Sequence, residues 1–288
     1  MKVQNQGIYR MEMHWHKDTQ SFAGRLLASQ AVHDPAYSLI LGLALKIQQQ
    51  AAAVQDEQVL LTVHQDNSLA ATAFMSGHQL LVESPAELAP VLADEIYKKK
   101  NAIPAVHANK EAAGPFVERW AALMNCSYQL SMSERLYVLH QVQPTPNAAG
   151  IFRKAEEEDI DILTQWLYAF YREAMPDFSR SIEELQTNIV ESVKSGNRYI
   201  WDDDGPVSMA AQTRSTPASC SVNAVYTPPP LRGRGYATAC VAALSQVILD
   251  SGKSYCCLFT DLANPTSNSI YSKIGYRPVC DYEIYTFG

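Results

Sequence analysis

The sequence predicts a mixed α/β chain built from two domains, and three observations predict it. At 288 residues the chain stands near the size at which a single hydrophobic core stops growing. The polar segment HQVQPTPNAAG, residues 140–150, carries two prolines and parts two stretches. Each stretch alternates helical and strand-like patterning in a similar order. The expected domains are therefore 1–145 and 151–288. A composition of 47% hydrophobic and 18% charged residues is that of a globular chain, and a net charge of -7 argues against a surface held by nucleic-acid phosphates. The six cysteines (Cys126, Cys220, Cys240, Cys256, Cys257, Cys280) show no metal-ligand spacing. Adjacent Cys256 and Cys257 would point to opposite faces of a strand, so the thiols are read as reduced and the protein as cytoplasmic. The N-terminal stretch has no apolar signal core, and no apolar run reaches the roughly 18 residues that cross a bilayer.

Residues 36–54 (AYSLILGLALKIQQQAAAV) read as a helix. QVLLTV and LAATAFM read as a hairpin around Asp66 to Ser68, and HQLLVES as a third strand. Ser84, Pro85 and Glu87 then suit the start of a helix over AELAPVLADEIYKKKN, and PFVERWAALMN offers another before the strand LYVLHQ. In the second half, the acidic run Glu156, Glu157, Glu158 and Asp159 suits the positive end of a helix dipole, and Ile160, Leu163 and Leu167 give that helix its apolar face. Ser181 and Glu184 form a capping box for a second helix that Gly196 stops. RYIWDDDGPVSMAAQT reads as a hairpin turning at Asp204 and Gly205, and residues 219–226 as a further strand. A helix from about Gly235 to Ser251, a doubly covered strand SYCCLFT, a short helix opened by Asn264 and Pro265 and stopped by Gly275, and a last strand CDYEIYTF complete the chain.

One loop interrupts this order: VYTPPPLRGRGYATACVAAL, residues 225–244, joins a strand to a helix through three prolines and RGRGYA. A pyrophosphate needs backbone N–H groups aimed at it, residues small enough for close approach, and a helix N-terminus behind them. Gly233 and Gly235 open the backbone, Arg232 and Arg234 add charge, and the helix begins at once. A lone Gly-x-Gly is more often an ordinary solvated loop; the helix start and the flanking arginines favour the anion site. Walker A is excluded, because no Gly-Lys-Ser/Thr follows, and Thr238 stands where a dinucleotide fingerprint needs its third small residue.

RGRGYA, from Arg232 to Ala237, resembles the acyl-CoA pyrophosphate loop of the GNAT superfamily of N-acetyltransferases, Gln/Arg-x-x-Gly-x-Gly/Ala. NPTSNSIYSKIGYRPV, residues 264–279, resembles that family's Asn-x-x-Ala-x-x-Leu-Tyr-x-Lys-x-Gly-Phe signature, with Ser267, Ile270 and Tyr276 as departures. The two motifs stand in the family's order and cover roughly residues 151–288. The resemblance implies a GNAT fold, a mixed α/β sheet in two tandem domains, of which the N-terminal one is degenerate and non-catalytic. It implies acetyl-CoA as acyl donor, without a metal, bound by Val225, Tyr226 and Thr227 on the splayed strand, by Arg232, Gly233, Arg234, Gly235, Tyr236, Ala237 and Thr238 in the loop, and by Asn264, Ser267 or Asn268 on the short helix. Tyr271 matches the residue that protonates the departing thiolate; a tyrosine packing that helix onto the sheet is the alternative.

All seven histidines lie in the first half of the sequence, which leaves no Ser-His or Cys-His pair for the second and points to direct attack by an amine. Glu173, in the bend YREAMPDF, is the candidate base, with Asp177 or Asp261 acting through water as alternatives. WDDDG and the MHWH histidines, His14 and His16, read more simply as a hairpin turn and an exposed strand than as metal ligands. The expected partners are a small-molecule or peptide amine and, at most, a second copy of the chain, with no nucleic acid and no membrane. A non-catalytic acyl-CoA-binding or regulatory module, or transfer of another acyl group, stays open beside the enzyme reading. On this division, a fragment of residues 149–288 would keep acetyl-CoA binding and one ending near Pro146 would have none.

Overall fold

A computed structural model describes residues 11–49, 59–77, 79–146, 148–175 and 179–288. Two compact units emerge, Met1–Arg135 with Cys280–Gly288, and Leu136–Val279. The first contains β1 (Met11–Trp15), α1 (Thr19–Leu27), α2 (Ser38–Gln49), β2 (Leu60–Gln65), β3 (Ser68–Ser76), β4 (Gln79–Glu83), α3 (Ala89–Tyr97), β5 (Ala105–Asn109), α4 (Lys110–Met124) and the start of β6 (Tyr128–Leu139). The second runs from the end of β6 through β7 (Ile151–Lys154), α5 (Ile160–Ala174), α6 (Ile182–Lys194), β8 (Arg198–Asp202), β9 (Pro206–Thr213), β10 (Ser219–Tyr226), α7 (Tyr236–Asp250), β11 (Tyr255–Asp261) and α8 (Pro265–Ile274) into β12 (Arg277–Phe287). Each half of the chain thus follows one order, β-α-α-β-β-β-α-β-α-β.

Local chemistry accounts for the boundaries that matter. Asp66 and Asn67 both take positive φ, 49° and 68°, between β2 and β3, the two-residue turn that a tight hairpin needs. Ser181 accepts from Glu184 N and Glu184 answers at Ser181 N, the capping box expected for α6. Helix α3 starts later than its sequence suggests, at Ala89 without a side-chain cap. Ser84 is instead engaged with Pro85 and Asn109. The order expected for the second half also lacked its first strand. β7 has four residues, too few for periodicity to reveal.

In strand order the first unit reads β1-β2-β3-β4-β5-β12 and the second β6-β11-β10-β9-β8-β7. The sheet of each unit therefore includes a strand contributed from the other half of the sequence, and the division expected at 145–151 is corrected. The change of unit falls inside β6, between Arg135 and Leu136, and inside β12, between Val279 and Cys280. No turn signal marks a crossing within a strand. The proline-containing segment 140–150 belongs to the second unit, where Gln143 N donates to Ile274 O at 2.8 Å and Ala149 O accepts Trp201 Nε1 at 2.7 Å. Gly275 is required there, since at φ +109° a Cβ would come within 2.7 Å of Gln143 Cγ.

Both sheets are covered on two faces, giving three layers. In the second unit Tyr137, Leu139, Cys240, Val241, Leu244, Leu258 and Ile274 pack on the α7/α8 side. Leu163, Trp166, Leu185, Ile189, Ile200 and Met209 pack on the α5/α6 side. All six cysteines are free thiols, four of them buried. Among the described residues no helix is long and apolar enough to cross a membrane.

Two outcomes follow. A fragment of residues 149–288 would lack Tyr137 and Leu139, each worth about 1.5–3 kcal/mol of burial, and would carry Cys280–Gly288 without the unit that holds it. The fragment experiment suggested by the sequence therefore changes: circular dichroism should show no cooperative melt for residues 149–288, in contrast to the full chain. In the first unit, burial raises the Glu83 carboxyl well above its ordinary value, a shift that Tyr282's hydrogen bond opposes and Asp34's charge reinforces. A raised folded-state value means that ionisation penalises the native state as pH climbs above the unfolded value of 4.5. Glu83→Gln should raise the melting temperature at pH 8 and gain nothing near pH 4.

Candidate functional site

The site grows from a failure of strand pairing. β10 and β11 run parallel and pair only over Ser219↔Tyr255, Cys220↔Cys256 and Ser221↔Cys257. Beyond Ser221 the register with β11 ends, while pairing to β9 continues through Val222, Asn223 and Tyr226. A bulge between Asn223 and Tyr226 bends β10 at that point. Ala224 holds φ +48° and donates its N–H to the Asn223 side chain at 2.6 Å. The end of β10 thereby offers main-chain groups to whatever enters beside it.

Into this opening faces a cleft of about 580 Å³ lined by Val225, Tyr226, Thr227, Arg232, Gly233, Gly235, Tyr236, Ala237, Thr238, Asn264 and Tyr271, with Glu173 on its wall. The structure thus gathers eleven of the cofactor-site and proton-donor candidates, and the base candidate, around one space. Phe170, Ala174, Leu231, Ile270, Lys273 and Pro146 also line it. Phe170 and Ala174 stand near Glu173 on α5, Ile270 and Lys273 flank Tyr271 on α8, and Leu231 precedes Arg232, so position beside a candidate was their signal in the sequence.

At the loop, Gly233 and Gly235 take φ +79° and +86°, and a Cβ at Gly233 would meet nothing within 4 Å. Helix α7 starts at Gly235 with no side chain capping it, so its first-turn N–H groups face outward at the positive end of the dipole. These residues fit a pyrophosphate: open backbone, uncapped donors, and positive charge beside them.

The side chains are more committed than the sequence suggests. Arg232 donates to Thr227 O at 2.8 Å and to both Glu173 oxygens at 2.9 and 2.7 Å. Tyr226 OH donates to Glu173 Oε1 at 3.3 Å, and the guanidinium lies 5.5 Å from the Tyr226 ring centre. Thr227 Oγ1 donates to Ser208 Oγ, which donates to Tyr226 O. Tyr236 gives its hydroxyl to Asp203 of the β8–β9 hairpin, with Arg234 beside it. Arg234 is exposed and does not line the cleft. Asn268 also turns away, donating from Nδ2 to Asp261 O and Asn264 O. The Ser267 side chain and Asp177 lie outside the described residues.

Tyr271 is 8% exposed and packs at a tilt against Tyr137 and edgewise against Tyr276, at ring distances of 6.4 and 5.8 Å. Burial pushes its phenol up to about 12, so it keeps its proton throughout the neutral range. His140 falls within the second unit, contrary to the division expected, yet its Nδ1 lies 3.1 Å from Ser254 O and not in the cleft. The WDDDG carboxylates serve the hairpin and its neighbours: Asp202 binds Arg153 and Gly205 N. His16 lies 2.9 Å from Thr62 Oγ1, and His14 packs edge-on to His64.

The FR47-like protein family profile matches residues 202–284. A GCN5-related N-acetyltransferase from Sphaerobacter thermophilus is similar at a TM-score of 0.59 and 16% identity, with 96% of this chain and 94% of that one covered. A Drosophila protein reaches a TM-score of 0.64 at 14% identity, covering 95% and 98%. A tandem GNAT protein from the clavulanic acid biosynthesis pathway aligns over 97% and 98% at 12% identity and a TM-score of 0.50. The fold is that of tandem GNAT proteins. No curated protein matches the sequence.

The tandem GNAT arrangement permits a comparison of the two units. In the first, β4 and β5 hold the places of β10 and β11 and likewise pair over three positions, Leu80↔Val106 to Val82↔Ala108. There the strands are tied just beyond: Ser84 N donates to Asn109 Oδ1 at 3.2 Å and Asn109 Nδ2 to Ser84 O at 3.0 Å. One side-chain amide occupies the main-chain groups that the second unit leaves open.

The loop geometry predicts a two-part effect of Gly235→Val. A β-branched residue at φ +86° costs about 1–2 kcal/mol, so the ligand-free melting temperature should fall, and the thermal shift given by acetyl-CoA should vanish. Gly252→Ala, at φ +91° with open space at the far end of the same helix, is the control: it should lower the melting temperature and keep the shift. Differential scanning fluorimetry reads both.

Proposed function

We propose that the second unit is an acetyl-CoA-dependent N-acetyltransferase acting on a primary amine. The observation that carries this reading is the meeting, in one cleft, of an uncapped glycine loop, a strand end left unpaired on its β11 side and a buried protonated phenol. The acetyl thioester supplies the acyl group. Val225, Tyr226 and Thr227 would hold the pantetheine arm along β10, a main-chain N–H there polarising the thioester carbonyl. The N–H groups of residues 233–238 would hold the pyrophosphate.

The amine nitrogen bonds to the acetyl carbon as the carbon–sulfur bond breaks. Tyr271 hands its proton to the leaving sulfur and regains one from solvent. The proton lost by the amine goes to a carboxylate. Glu173 is the one that lines the cleft, and Asp261, which takes Ala263 N at the head of α8, is the alternative through water. Glu173 can serve only when Arg232 leaves its oxygens.

A phenol on the wall of the cleft favours the enzyme over a non-catalytic acyl-CoA module, since a binder has no use for a proton donor. Tyr271→Phe keeps the ring contacts and removes the hydroxyl. Turnover, followed as free thiol across a panel of amines, should fall about a hundredfold with acetyl-CoA affinity unchanged. Unaltered turnover would make Tyr271 a packing residue.

A further inference from the structure

Arg232 and Glu173 stand 59 residues apart in sequence, and the fold joins them at the mouth of the cleft. Three features distinguish the pair from an ordinary surface bridge. Both side chains are about half exposed, 47% and 48%, so neither is locked by packing. Arg232 directly precedes the glycine loop, where the uncapped start of α7 favours an anion. Glu173 lines the same cleft from α5, and beside Arg232 its carboxylate accepts the Tyr226 hydroxyl at 3.3 Å.

We propose that Arg232 is an exchangeable shield: it covers Glu173 until a pyrophosphate reaches the loop, then turns to that anion and exposes the Glu173 carboxylate to the acceptor's ammonium. The inference rests on the proposed acetyl-CoA site and adds an order of events and an acceptor class, an amine that arrives as a cation. A phosphate offers the guanidinium more charge and the same bidentate geometry as the carboxylate. An exposed ion pair is weakly held, so the exchange has little to overcome. Glu173 is then a carboxylate that appears in the cleft only with the donor bound, which keeps a cationic acceptor from occupying the site first.

Two measurements test this on the full chain. Calorimetry with CoA should show Glu173→Gln tightening binding about two- to fivefold, because Arg232 no longer has a competing partner. Arg232→Ala should weaken it, and adding Glu173→Gln to Arg232→Ala should change nothing further. Carboxyl labelling with a water-soluble carbodiimide and glycinamide, read by peptide mass spectrometry, should find Glu173 several-fold more reactive when CoA is present, with exposed Glu157 and Glu158 unchanged. In Arg232→Ala the high reactivity should appear without CoA. If wild-type protein binds CoA but Glu173→Gln leaves the affinity unaltered, or if CoA leaves Glu173 labelling flat or lowers it, the shield is wrong and the donor site stands. If the wild type binds no CoA, the proposed function fails with it.

Discussion

The second unit depends on where β10 stops pairing with β11. Hydrogen-bonded strands leave no room for a ligand's main-chain contacts; strands that part after Ser221 create both the space and the donors. The bulge at Ala224 supplies the bend, the prolines 228–230 carry the chain away from the sheet, and Gly235 restarts it as a helix whose N-terminus faces the gap. The backbone features of the site all attend that divergence.

The first unit shows what closure looks like. It follows the same order of elements, yet Asn109 ties Ser84 from both sides at the corresponding place. Its counterpart helix, α3, begins after a turn through Pro85 and Leu88 without glycines at positive φ. The two units share a scaffold and differ at two features here, the Asn109 tie and the absence of a glycine loop before α3. The exchange of terminal strands gives this unit a second part, since Cys280–Gly288 belongs to it. Arg135 fixes that strand through a bidentate pair with Asp281, at 2.6 and 2.9 Å.

Much of this was legible in the sequence because it rests on local chemistry. RGRGYA, the Ser181–Glu184 box, the Asp204–Gly205 turn and the Asn264–Pro265 helix start each express a backbone requirement within a few residues. The strand exchange was not legible: β6 and β12 both read as strands, and periodicity says nothing about which neighbour a strand takes. β5 is too short, at five residues, and too uniformly buried to alternate. Helix α1 carries a local signal in Asp18, which accepts from Ser21 N as its cap, but Gly24 interrupts its pattern. The Arg232–Glu173 pair and the tie from Asn109 are tertiary facts, and Asn268, which the family resemblance places at the cofactor, is drawn instead to the carbonyls at the head of its own helix.

The central claim is that one unit of the two is open to an acyl-CoA. Isothermal titration of the full chain with acetyl-CoA measures it most directly. The account predicts one molecule bound per chain, and a stoichiometry still of one when Asn109 is changed to Ala. Two molecules bound by the unaltered chain, or none, would contradict it.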